Sequence, residues 1–586
     1  MTATAGNTLT LINSGNLTLA NVTAGNATLT SVGGSVVETA GGTVNVSGST
    51  TLVAGNGSVT LSNASNVLGT VTATAGNTLN VASAGNLTLA SVTAGNATLT
   101  SVGGSVVETA GGTVNVSGST TLVAGNGSIT VANASNVLGT VTATAGNTLN
   151  VASAGNLTLA SVTAGNATLT SVGGSVVETA GGVLNVSGST TLVAGNGSIT
   201  VANASNALGT VSATVNSSGT LNLTSANNLT LANVTAGNVT LWSTGGVVME
   251  AAGGVVTVSG NLTLSAANAV ALSGNVSAGN LSATSTTGSV TDTGVVNVSG
   301  STTLVAGNGS ITVANASNAL GTVTATAGNT LNVASAGNLT LASVTAGNAT
   351  LTSVGGSVVE TAGGVLNVSG STTLVAGNGS ITVANASNAL GTVTATAGNT
   401  LNVASVGNLT LANVAAANVY LWSTNGSING VSGSLNVAGT LSLTQSGSLV
   451  LANVSAGNLS LSSTSGSVTD TGVLNVSGST TLVAGNGSIT VANASNALGT
   501  VTATAGNTLN VASAGNLTLA SVTAGNATLT SVGGSVVETA GGTVNVSGST
   551  TLVAGNGSIT VANASNALGT VTATAGNTLN VASGGT

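Results

Sequence analysis

The chain has 586 residues, 42% hydrophobic but only 1% charged and 1% aromatic, with eight carboxylates and no Lys, Arg, His, Cys or Pro. A net charge of −8 with no cation removes the basis for binding nucleic acid or anionic membrane surfaces, both of which rest on Lys and Arg. Without Cys and His there is no disulfide framework and no thiolate or imidazole metal site. Val, Thr and Leu are abundant and no Pro blocks a backbone N–H, a composition that favours ordered β structure over charge-rich disorder.

The opening MTATAGNTLTLINSG lacks the positive region and long apolar core of a secretory signal. No apolar run in the chain approaches the ~18 residues of a membrane-spanning helix. Any export signal is therefore expected outside this chain, and membrane insertion is not expected.

The first motif to recur is VTATAGNTLN. It begins at residues 71, 141, 323, 393, 501 and 571, and a near copy opens the chain. Segments 141–210 and 323–392 are identical, and 71–140 differs from 141–210 only where Thr113, Val114 and Val137 become Val183, Leu184 and Ala207. The common unit is 70 residues long. Stretches 211–300 and 403–475 diverge from it.

Within a unit, Gly and Asn punctuate the sequence every few residues, as at Gly76-Asn77, Gly85-Asn86, Gly95-Asn96 and Gly103-Gly104. Both tolerate corner conformations. Between corners, apolar and polar residues alternate: Leu87 and Leu89 flank Thr88, Val114 and Val116 flank Asn115, Ile129 and Val131 flank Thr130. That period reads as short strands with one apolar face, and no segment carries a sustained helical period. Short strands at a fixed long period point to a solenoid whose coils bury their faces together. The expectation is an all-β parallel β-helix running through residues 1–586 as one continuous solenoid. Coils of roughly 18–20 residues would number about 30, and at about 4.8 Å each they would build a rod of roughly 150 Å. Two and three strands per coil both remain open. Asn and Thr are expected to stack on their own kind in successive coils, which like charges would not permit.

The eight acids are Glu38, Glu108, Glu178, Glu250, Asp292, Glu360, Asp470 and Glu538, all in SVVETAGG, VVMEAAGG or SVTDTG. The closest two in sequence, Glu250 and Asp292, would lie two coils or about 10 Å apart, beyond the ~5–9.5 Å of working carboxylate pairs. No His or Lys is present to activate a serine, and isolated acids cannot build a calcium shell. No catalytic residue, metal site or cofactor is expected. Val36 aligns with Val290 and Val468 as an inward position, so strict alternation turns Glu38 inward too. An unpaired buried carboxylate is costly, so the chain is expected to bend at Glu38–Gly41 and free the side chain to solvent. The alternative is an internal carboxyl held protonated.

The aromatics are more individual. Trp242 in NVTLWSTGG, and Tyr420 and Trp422 in NVYLWSTNG, fall in the two divergent stretches. Alternation with inward Leu241 and Leu421 turns all three outward. There they either cover a neighbouring loop or stack on sugar faces.

The phrase NLSLSSTSGSVTDTGVLNVSGSTTLVAGNGSITVANASNALGTVTATAGNTLNV (458–511) resembles the stalk repeats of filamentous haemagglutinin-like bacterial surface adhesins of the two-partner or autotransporter type. The likeness spans essentially the whole chain. It implies a right-handed coil, a position outside the cell, and service as a non-enzymatic rigid stalk that displays binding regions. The family's export signal, amino-terminal secretion domain and carboxy-terminal anchor have no counterpart here, so the chain reads as a repeat region cut from a longer protein. Two other readings stand beside it. One is a glycan-binding solenoid using Trp242, Tyr420 and Trp422. The other is an ice-binding solenoid, which would need a flat array of outward Thr. Expected partners are glycans or proteins of a host or neighbouring cell. Ends cut within a repeat also favour head-to-tail self-association through open strand edges.

Overall fold

The computed structural model describes residues 1–430 and 435–584; residues 431–434, inside the divergent stretch 403–475, lie outside the described residues. The fold is an all-β parallel β-solenoid of about 27 turns. Among the described residues every regular element is a strand. The chain divides into two compact units, Met1–Ser299 and Gly300–Thr586, and both are built in the same way.

Alternation builds the wall of each turn. In Leu87–Ala94, Leu87, Leu89, Val92 and Ala94 are buried while Ser91 and Thr93 face solvent. The inward residues then stack. Leu17, Val36, Val59 and Leu79 form one column through parallel pairing. Leu87, Val106, Ile129 and Leu149 form the next. All eight are at most 3% exposed. Truncating such a side chain to Ala removes apolar burial and leaves a cavity, a loss of about 2–5 kcal/mol.

One 70-residue unit resolves into ten strand segments: 17–19, 21–24, 26–31, 36–38, 43–46, 49–54, 59–61, 67–68, 70–75 and 78–83. Pairing joins 17–19 to 36–38 and 21–24 to 43–46. It also joins 26–31 to 49–54, 49–54 to 70–75, and 59–61 to 78–83. These segments thus meet the one three further on; 70–75 reaches both 88–89 and 91–93 across a register shift. A turn carries three segments, and ten segments make three turns and a third. Equivalent residues of successive repeats advance by one face. Leu17 and Leu87 accordingly stand in different columns.

Two expectations change as a result. The register steps by 18 residues between Thr78 and Asn96 and by 23 between Ala97 and Thr120. The expected 18–20-residue coil is therefore the short end of the range, and the turns are fewer than 30. The added length sits in corner loops, which alternation does not reveal. Like side chains do stack, as Thr98 on Thr121 and Thr142 and Asn261 on Asn280, whose Nδ2 donates to Asn261 Oδ1 at 2.9 Å, although copies of one repeat position are more than three turns and one face apart. Corner asparagines also bond the backbone and serines of the adjacent turn. Asn86 Oδ1 accepts from Ser105 N–H at 2.9 Å, and Asn96 Oδ1 accepts from Ser119 N–H and Oγ at 2.8 and 2.9 Å.

Close stacking dictates some glycines. At Gly139, φ is +53° and a Cβ would lie 1.7 Å from the carbonyl oxygen of Gly118 in the turn before. Gly111 has φ +80° but open space around it. In the turn at 570–584, Val571 and Leu579 are 39% and 54% exposed, where their counterparts Val501 and Leu509 are 0% and 1%.

Candidate functional site

The repeated acids do not gather; they recur singly, each at a corner. The chain bends after Glu108 as expected. The pairing of Val106–Val116 with Leu87–Ala94 shifts register between Glu108 and Thr113, and positive-φ Gly111 sits in the bulge. The bend does not free the carboxylate to solvent, however. Asn133 and Asn136 of the following turn rise to meet it. Glu108 Oε2 accepts from Asn133 N–H at 2.9 Å and Asn136 Nδ2 at 3.0 Å. The same asparagines tie down the bulge: Asn133 Nδ2 donates to Gly112 O at 2.7 Å, and Asn136 Oδ1 accepts from buried Val114 N–H at 2.8 Å. Two donors on one oxygen offset part of the desolvation that made the inward position unfavourable. Glu38, Glu178, Glu360 and Glu538 repeat the arrangement with Asn63 and Asn66, Asn203 and Asn206, Asn385 and Asn388, and Asn563 and Asn566. Asp470 does so with a shorter bulge, bonding Asn496 Nδ2 at 2.8 Å and Ala492 N–H at 3.1 Å.

Glu250 departs from this pattern. Its following turn reads Leu272-Ser273-Gly274-Asn275 and has no Asn-Ala-Ser-Asn loop. The carboxyl is only 3% exposed. Oε2 accepts from Gly274 N–H at 2.8 Å, and Oε1, as in Glu38, Glu108, Glu178, Glu360 and Glu538, is buried with no hydrogen-bond partner among the described residues. Burial outweighs that one bond and pushes the pKa up from 4.5 to about 7. Val248 pairs with Val270 and Val270 with Val290, so Glu250 and Asp292 stand two turns, about 10 Å, apart. The two carboxyls are not brought together.

The three aromatics point outward, in two separate places. Trp242, in Asn238–Ser243, is 49% exposed and pairs across the ladder with Thr224 and Ser265. Tyr420 and Trp422 share the strand Asn418–Ser423 in the second unit. Tyr420 is 39% exposed, beside Asn402 and Ser442. Trp422 is half-buried, beside Ala404 and Thr444. Ala404 is fully buried, whereas its counterparts Ala82, Ala152, Ala334 and Ala512 keep 6% exposure, so the indole does shelter its neighbour. It also walls an open groove of about 490 Å³, lined further by Thr424, Thr444, Gln445, Ser446 and Thr464. Gln445 is 1% exposed, and its amide is taken up by the backbone of Ile428 and Gly447. A groove of about 350 Å³ in the first unit, lined by Thr235, Thr257, Ser277 and Asn297 among others, has hydroxyls but no aromatic wall.

Among the described residues no helix is long and apolar enough to cross a membrane. Fold and sites together define a parallel β-solenoid repeat protein. More specifically, the chain belongs to the family DUF5649, repeats of unknown function, whose model matches residues 5–75, 76–145, 146–215, 218–276, 261–327, 328–397, 439–505 and 506–575. No curated protein and no solved structure is detectably similar to it.

Proposed function

We propose that the chain is a non-enzymatic stalk region of an extracellular bacterial adhesin, a right-handed solenoid that holds binding regions away from the cell surface. The observation that carries this reading is the repeated clamp. Every standard repeat spends its one carboxylate on fastening a corner to the next turn, as Glu108 does with Asn133 and Asn136. Between clamps the turns are joined by parallel backbone ladders over an aliphatic core. Such a stack resists bending and shear because opening any one turn breaks its ladders to both neighbours. Held by its ends in an optical trap, the chain should lengthen in discrete turn-sized steps at high force; smooth extension at low force would overturn the stalk reading. Antibody against the repeat should label intact cells that express the parent protein, and labelling only after permeabilisation would overturn the surface location.

A second reading is favoured by the exposure of Trp242 and Tyr420 and by the groove at Trp422: the divergent stretches bind glycans of a host or neighbouring cell. Replacing all three aromatics with Thr, the residue at the corresponding positions of standard repeats, should abolish retention on a glycan array. Undiminished retention would remove this reading.

A further inference from the structure

We propose that Tyr420 and Trp422, without Trp242, form a subsite for a neutral, linear oligosaccharide, seated against the groove that Trp422 walls. This rests on the glycan reading above and narrows it to one place and one class of ligand.

The standard repeat carries an outward Thr-x-Thr pair in NATLTS, as at Thr98 and Thr100. In NVYLWS both threonines become aromatic, whereas in NVTLWS only the second does. Residues two apart on a strand lie on one face about 6.6 Å apart, the scale of one sugar residue. Tyr420 and Trp422 therefore make a platform for two adjoining rings, while Trp242 offers a single face. Aromatic faces take the apolar C–H faces of pyranoses, and the ring hydroxyls then need polar partners at the edge. The groove supplies them: Thr424, Thr444, Ser446 and Thr464 line it. On the other side, Asn402, the ladder neighbour of Tyr420, keeps an Oδ1 with no hydrogen-bond donor among the described residues. That leaves an unused acceptor beside the aromatic platform. Charge selects the class. The chain has no Lys, Arg or His and a net charge of −8, so an acidic sugar meets repulsion and no ion pair.

The test uses the full chain carrying Trp242→Thr, which leaves Trp422 as its only tryptophan. Its fluorescence is titrated with β-linked hexasaccharides of glucose, galactose and mannose, and with hexagalacturonate as the acidic counterpart. The expected result is a saturable change with at least one neutral probe, none with the acidic one, and at least tenfold weaker binding when Tyr420→Thr is added. Circular dichroism unchanged between the variants confirms that the fold is intact. No saturable response to any neutral probe, a response to hexagalacturonate alone, or undiminished binding in the Tyr420→Thr variant would each overturn the proposal. A companion array with the natural sequence separates the two levels. Retention that survives Tyr420→Thr with Trp422→Thr but not Trp242→Thr overturns this site alone. No retention of the natural sequence overturns the glycan reading as well.

Discussion

Replacing Glu250 with Gln should stabilise the first unit near neutral pH and leave it unchanged in acid. Burial raises the Glu250 pKa from an ordinary 4.5 to about 7. At about 1.4 kcal/mol per pH unit, that shift corresponds to a penalty of about 3 kcal/mol. The folded pKa lies above the unfolded one, so the folded state binds more protons and is favoured at low pH. Below about pH 4.5 both states are protonated and there is no penalty. Between about 4.5 and 7 the unfolded chain ionises while the folded one holds its proton, and stability falls as pH rises. Above about 7 the penalty is complete. Gln keeps an oxygen for Gly274 N–H and never ionises. Because a solenoid opens locally rather than all at once, the assay is amide hydrogen exchange over residues 247–280, corrected for intrinsic rates. Protection should rise by about a hundredfold at pH 8 in the Glu250→Gln variant and stay the same at pH 4. Equal effects at both pH values, or weaker protection at pH 8, would refute the reasoning.

The clamps should respond in the opposite sense. Asn136→Ala leaves buried Val114 N–H without its acceptor and Glu108 with one donor fewer, so local protection over 104–118 should fall by about 2–4 kcal/mol. Gly139→Ala places a methyl against the Gly118 carbonyl at a positive φ and should disrupt the local stack. Gly85→Ala, with open space around it, should change local stability by less than about 1 kcal/mol; matched exchange profiles of the two variants check the contrast.

The strand walls were legible because alternation is a local signal: Leu87, Leu89, Ile129 and Val131 are buried as their spacing requires. Alternation also turned Glu38 inward correctly. Its environment was not legible, since the groups that meet it lie 25 and 28 residues downstream at Asn63 and Asn66. A signal for them does exist in the sequence. Asn-Ala-Ser-Asn follows each Glu at that distance, and each Asp two residues sooner, wherever the standard repeat is kept; it is missing only after Glu250. The turn length was harder still, because loops such as 109–112 and 132–136 add residues at corners without adding apolar alternation. Neither repeat length nor strand propensity indicates that ten segments are wound on three faces.

That winding makes the number of repeats an angular quantity as well as a length. Near-identical tandem copies, such as 71–140 and 141–210, are natural substrates for unequal recombination, which removes or adds one at a time. Losing one copy would shorten a unit by three turns and a third, and would rotate whatever lies beyond it by about a third of a revolution. Losing three would shorten it by ten turns and restore the original heading. Within a population of length variants, the number of copies that precede a site in its own unit would therefore set the direction in which that site faces, independently of any change to the site itself.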